Sequence, residues 1–180
     1  TRKIYIGNVE IGGDAPIAVQ SMAATQTQNI EATARQIKVL EAAKADVIRI
    51  AVDSEKDVEA LKTLRKKFPD SVWSVDLQEN YKLAPVVAPW VNKIRYNPGH
   101  LFHLEKEKSI REKVGFIVNA ARKNDCAIRI GVNCGSVDPD YKERYKDDSV
   151  EAMVRSAIDH CLMLDEMGFE NYCVSLKDSE

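Results

Sequence analysis

The sequence predicts an α/β protein with a parallel sheet, and three observations carry that prediction. Apolar runs of about six residues, rich in Val and Ile, alternate with longer stretches of helical period. From Ile17 to Asn171 the chain makes five strand–helix units of about 31 residues each, the spacing of right-handed crossovers between parallel strands. No linker, low-complexity segment or shift of composition interrupts them. Two architectures fit, a doubly wound open sheet and a (β/α)8 barrel. The first strand–helix connection has no G-x-G-x-x-G, which removes the main support for a nucleotide-binding open sheet. A barrel needs eight strands and usually about 250 residues, so a barrel here would be incomplete.

The elements follow in order. "KIYIGNVEIGG" reads as a hairpin turning at Gly7-Asn8. "PIAVQSM" (16–22) is the first parallel strand. Asn29 can cap a helix through about Lys44, with Ile30, Ala34, Ile37 and Leu40 on one stripe. "DVIRIAV" (46–52) is the second strand. A capping box, Ser54 to Asp57, opens a helix that buries Val58, Leu61, Leu64 and Phe68. "SVWSVDL" (71–77) is the third strand, and "NYKLAPVVAPW" a poorer helix interrupted by Pro85 and Pro89. "VNKIRYN" (91–97) is the fourth strand, ended by Pro98-Gly99 and followed by a long polar loop. Ser109 and Glu112 can box the start of a helix running to about Asn124. "AIRIGVN" (127–133) is the fifth strand. After a charged surface loop, "YKERYKDD", a helix starts at Asp148 or Ser149. Its apolar residues fall at 150, 153, 154, 157, 158, 161 and 162. "YCVSLK" (172–177) is the sixth strand.

Composition narrows the function. The 180 residues are 44% hydrophobic and 30% charged, with a net charge of -2, which argues against a broad basic face for nucleic acid. No apolar run approaches the roughly 20 residues of a membrane span, and no signal peptide is visible. Cys126, Cys134, Cys161 and Cys173 form no C-x-x-C pair. Their spacing suggests neither disulfides nor a zinc or iron–sulfur ligand set, so no metal site is expected.

The chemistry lies in a repeated pattern. "VIRIAV", "NKIRYN" and "AIRIGV" each place a lone arginine (Arg49, Arg95, Arg129) among apolar or aromatic residues, towards the C-terminal end of a strand. Period-two alternation puts Asn97 on the face of Arg95 and Asn133 on the face of Arg129. The sixth strand offers Lys177 beside Ser175, and the third offers Asp76 beside Gln78. In a parallel barrel these residues converge at the C-terminal mouth. Arginines and a lysine so gathered repel one another unless an anion joins them, and bidentate guanidinium contacts suit phosphate oxygens. A ligand carrying more than one phosphate is expected. The competing account pairs each arginine with a carboxylate inside the barrel.

"PIAVQSM", "ADVIRIAV", "IRYNPG", "IRIGVNCGS" and "CVSLK" resemble, in order and spacing, the 4-hydroxy-3-methylbut-2-enyl diphosphate synthases, from Thr1 to about Asp178. The resemblance implies an incomplete TIM barrel of about six βα units with an N-terminal hairpin, similar to that of dihydropteroate synthase. It implies that residues 1–180 are the substrate-binding part of an oxidoreductase of the non-mevalonate isoprenoid pathway. That enzyme reductively opens 2-C-methyl-D-erythritol 2,4-cyclodiphosphate. Arg49, Arg95, Asn97, Arg129, Asn133 and Lys177 would hold the diphosphate, with Gln78, Ser136 and Ser175 as additional contacts and Asp76 near the substrate hydroxyls. The family also implies a [4Fe–4S] cluster in a C-terminal domain absent from this chain, ferredoxin or flavodoxin as electron donor, a homodimer, and a bacterial cytoplasmic or plastid location. This chain alone would be inactive. The sequence departs from the family pattern in three ways. The usual Asp-x-His reads Asp76-Leu77-Gln78, the asparagine usual after N-P-G is His100, and neither cluster cysteines nor the later catalytic glutamate are present. The rival readings are a dihydropteroate synthase-like transferase and a divergent chain that only binds phosphate or a partner.

His100 and His103 are expected in a solvated loop and His160 beside the apolar stripe of its helix. Cys134 reads as a small packing residue, and Trp73 and Trp90 as core.

Overall fold

A computed structural model describes residues 2–178; Thr1, Ser179 and Glu180, at the limits of the sequence reading, lie outside the described residues. An antiparallel hairpin, β1 (Ile4–Ile6) and β2 (Val9–Ile11), precedes six parallel strands. These are β3 (Gln20–Met22), β4 (Val47–Val52), β5 (Trp73–Leu77), β6 (Lys93–Tyr96), β7 (Ala127–Asn133) and β8 (Tyr172–Lys177). Between them run α1 (Ile30–Ala42), α2 (Glu55–Lys67), α3 (Ala84–Val87), α4 (Ile110–Lys123), α5 (Pro139–Arg144) and α6 (Ser149–Glu166).

The spatial order of the strands is their order in the chain, β3-β4-β5-β6-β7-β8. A doubly wound sheet reverses direction at a switch point, and this one never does. Right-handed crossovers in one direction put every helix on one face. The helix-side residues of the strands, Ile48, Ile50, Trp73, Val75, Ile94, Ile128 and Ile130, are at most 2% exposed. The opposite face carries Arg49, Asp76, Arg95 and Arg129, as the interior of a barrel does. No helix among the described residues is long and apolar enough to cross a membrane.

The hairpin covers the end of the sheet where the strands begin. Ile6 is fully buried against Val47 and Ala127, the first residues of β4 and β7. Asn171 ties it down, its Oδ1 accepting from Tyr5 N at 2.9 Å and its Nδ2 donating to Tyr5 O at 3.0 Å. One end of the interior is therefore plugged, and the ligand-accessible end is the other.

Asn29 caps α1, and both predicted capping boxes, Ser54–Asp57 and Ser109–Glu112, are formed. Four expectations shift. The strand predicted over 16–22 pairs only from Gln20. Pro16 has no N–H, Ile17 is 94% exposed, and β3 is an edge among the described residues. The loop after Pro98-Gly99 winds into a 3-10 turn, Pro98–Phe102, which Asn97 caps by accepting from Gly99 N. Part of "YKERYKDD" forms α5, started by Asp138 and Pro139. The apolar stripe of α6 divides: Met153 and Ala157 pack on the sheet, while Val150, Ile158 and Leu162 are open, because no described element packs on that side. Trp73 is fully buried with the Arg65 guanidinium 3.9 Å above its ring, and Trp90 packs half-buried against the same core.

Candidate ligand-binding site: an arginine cavity in the barrel

A cavity of about 680 Å³ opens on the interior face of β4 to β8. Its charged lining is Arg49, Arg95, Arg129 and Lys177 against Asp76 and Glu79. Register explains the convergence. Asp76 pairs with Arg95 and Arg95 with Arg129 across neighbouring strands, while Arg49 lies beside Ser74, one interior position lower. Asn133 pairs with Lys177, two interior positions above Arg129. Arg129 is the third residue of seven in β7, so it stands nearer the start of that strand than the expected C-terminal end. The arginines form the floor of the cavity, and Asn133 and Lys177 its rim.

Asp76 serves two of the three arginines. Its Oδ1 accepts from Arg95 Nη1 at 2.9 Å, and its Oδ2 accepts from Arg49 Nη2. Asp76 and Arg95 are almost wholly buried, with side chains 4% and 9% exposed. Arg95 also donates through Nη2 to the carbonyl of Gly131 at 2.9 Å. The Nε of Arg49 is buried without a partner. Arg49 and Arg95 thus each pair with a carboxylate while still lining the cavity. Arg129 differs. Its Nε donates to Ser175 Oγ at 2.9 Å, and it forms no ion pair with a described residue. Burial, with Arg49 and Arg95 nearby, pulls its pKa below the usual arginine value. Half-buried and next to like charges, it is the group that most needs an anion.

Lys93 lies on the same face, beneath Arg95. It is 3% exposed and donates to Gln20 Oε1 at 2.6 Å across the interior. Burial pushes its pKa down to about 8.

Of the expected site residues, the cavity gathers Arg49, Asp76, Gln78, Arg95, Arg129, Asn133, Ser175 and Lys177. Asn97 and Ser136 are not among its lining. Asn97 is 1% exposed and donates through Nδ2 to Ser136 Oγ at 2.6 Å, so each occupies the other. This bond draws the 3-10 turn Cys134–Ser136 onto the turn after β6. The contact is so close that a Cβ on Gly99 would lie 1.6 Å from the Ser136 carbonyl oxygen, which accounts for the glycine of N-P-G. Cys134 is half-buried at the start of that turn.

Sequence reasoning missed three lining residues, Glu79, His100 and the apolar Leu176. His100 is not in a solvated loop. The 3-10 turn carries it over the end of β5, where its Nδ1 lies 2.5 Å from the Gln78 carbonyl oxygen and 3.3 Å from Glu79 Oε1. Only the periodicity of a 3-10 turn after N-P-G could have signalled it. His103 stacks on His100 and bonds to Glu79 through Nδ1, outside the cavity. His160 is buried and bonded to the Tyr96 hydroxyl at 2.9 Å, a core pair. A second cleft of about 680 Å³, beside the start of α4, contains Lys113, but that ammonium is consumed by the carbonyls of Leu101 and Leu104.

The family model of the GcpE TIM-barrel domain matches residues 1–180. The chain belongs to this family. A 4-hydroxy-3-methylbut-2-en-1-yl diphosphate synthase (flavodoxin) from Rhodopirellula baltica is 56% identical over the whole chain and 47% of its own length. One of the same description from Pasteurella multocida is 42% identical over 99% of the chain and 47% of its own length. The GcpE barrel chain thus spans about half the length of the curated relatives it matches. Among solved structures, Burkholderia cenocepacia dihydropteroate synthase complexed with 7,8-dihydropteroate superposes with a TM-score of 0.58 at 14% identity, over 96% of this chain and 62% of that one. That likeness supports the barrel fold of the GcpE domain and nothing finer.

Proposed function

We propose that this chain is the diphosphate-binding part of a 4-hydroxy-3-methylbut-2-en-1-yl diphosphate synthase and that its cavity holds 2-C-methyl-D-erythritol 2,4-cyclodiphosphate. One observation carries the reading. Among the described residues, Arg129 is half-buried near Arg49 and Arg95 and bonds only to the Ser175 hydroxyl, while Asp76 is already shared by Arg49 and Arg95. A diphosphate would supply the missing negative charge. Arg129 and Lys177 would bind it directly. Asp76 would hold Arg49 and Arg95 in fixed positions beforehand, so that little reorganisation is needed as negative charge shifts on the ring during opening. Asn133 and Ser175 would add neutral contacts.

The reaction is reductive, and flavodoxin, which stands in the relatives' names, or ferredoxin would be the donor. The family implies a [4Fe–4S] cluster in a second domain of a homodimer. The described residues do not fit such a cluster. Cys126 is buried just before β7, Cys134, Cys161 and Cys173 lie on other elements, and no three described His, Cys, Asp or Glu residues form a metal site. The part of the chemistry that falls to these residues is binding and charge neutralisation.

Calorimetric titration of the full-length protein with the cyclic diphosphate tests this. Binding is expected for the wild type and is expected to weaken by about ten- to a hundredfold in Arg129→Leu, the cost of one or more charge-assisted hydrogen bonds. Equal affinity in the two proteins would make Arg129 a structural residue and overturn the reading.

A further inference from the structure

We propose that His100 is a further ligand-binding group of the arginine cavity, one that engages an anion as an imidazolium and takes up a proton as it does so. The proposal rests on the anion-binding reading above.

The hydrogen-bond geometry fixes the tautomer. The Gln78 carbonyl oxygen, 2.5 Å from His100 Nδ1, can only accept, so Nδ1 carries the proton. Glu79 Oε1, 3.3 Å from the same nitrogen, accepts as well. Nε2 is left without a partner among the described residues, on a side chain that lines the cavity. In the neutral ring Nε2 is an acceptor, which forms no hydrogen bond to a phosphate oxygen. In the imidazolium it is a charged donor. An anion in the cavity therefore selects the protonated ring, and by linkage the protonated ring favours the anion.

Charged groups surround the ring. Glu79, on the segment after β5, lies beside the ring. It also bonds to His103, whose ring is stacked on that of His100 with centroids 5.4 Å apart. The cavity's arginines and Lys177 share its lining with His100, and Asp76 is paired with two of them. In the neighbouring cleft, which His100 also lines, Lys142 and Glu143 bring opposite charges.

The test is pyrophosphate affinity of the full-length protein, measured by calorimetry between about pH 5.5 and 8.5, for the wild type, His100→Asn, His103→Asn and Arg129→Leu. Ionisation of pyrophosphate itself cancels in the ratio of wild-type to variant affinity. That ratio for His100→Asn is expected to be about ten at the acid end and to approach one at the alkaline end, the effect of one charge-assisted bond present only in the imidazolium. For His103→Asn the pH dependence of the wild type should persist. A pH-independent ratio for His100→Asn, with binding still weakened in Arg129→Leu, would overturn the role of His100 alone. Loss of the pH dependence in His103→Asn but not in His100→Asn would overturn it too. Affinity that is unchanged in Arg129→Leu would remove the anion site and this proposal with it.

Discussion

Arg95 occupies the space that a side chain on Gly131 would fill. A Cβ built on Gly131 would lie 2.3 Å from Arg95 Nε and 3.0 Å from its Cζ, and the Gly131 carbonyl accepts from Arg95 Nη2 at 2.9 Å. The glycine in R-I-G-V-N is there for a neighbouring strand's guanidinium.

Gly131→Ala should therefore push Arg95 away from Asp76. Overpacking of this kind costs about 1–3 kcal/mol. A lower midpoint in denaturant together with weaker pyrophosphate binding is expected. A variant that binds as tightly as the wild type would show that Arg95 has room to move.

Asp76→Asn leaves Arg49 and Arg95 without their shared carboxylate in the buried interior. Breaking a buried ionic group from one side costs about 3–5 kcal/mol. Thermal unfolding should show a large drop in stability, and added pyrophosphate should restore part of it by replacing the lost negative charge. No recovery with pyrophosphate would mean that the anion does not reach these two arginines.

Arg129→Leu should weaken ligand binding yet leave the ligand-free fold as stable as before, or more so, because it removes one of several clustered cations. Urea unfolding of wild type and variant in phosphate-free buffer measures this. Marked destabilisation would identify Arg129 as a residue that holds β7 and β8 together through Ser175.

Lys93 gives a pH dependence of stability. Burial holds its folded pKa at about 8, below the value near 10.4 of the unfolded chain. Between those pH values the unfolded state binds more protons, so stability rises with pH across that window. The amount is of the order of 3 kcal/mol, and the rise is complete once both states are deprotonated. Lys93→Met should flatten this part of the profile and raise stability near neutral pH. An unchanged slope between about pH 8 and 10 would place the titration elsewhere.

Local pattern was enough for the elements. The capping boxes at Ser54 and Ser109, the stripe of α1 and the run of β7 depend on residues within one or two turns of each other, and these interactions form wherever that sequence occurs. The common face of Arg49, Arg95 and Arg129 was also legible, because period-two alternation leaves few choices. The allocation of partners was not. Asp76 could have neutralised any cation on its face, and only the register with β4 and β6 gives it to Arg49 and Arg95 and leaves Arg129 without a carboxylate among the described residues. Asn97 and Ser136 look like ligand donors in their motifs, but a contact between two turns commits each to the other. His100 looks like a loop residue until a 3-10 turn brings it over Gln78 and Glu79. A hydrogen bond or ion pair depends on distances of a few tenths of an ångström between groups far apart in the chain, and sequence periodicity carries no information on that scale. The sequence by itself determined which charges share the interior of the barrel; the tertiary structure decided which of them are already satisfied and which remain for a ligand.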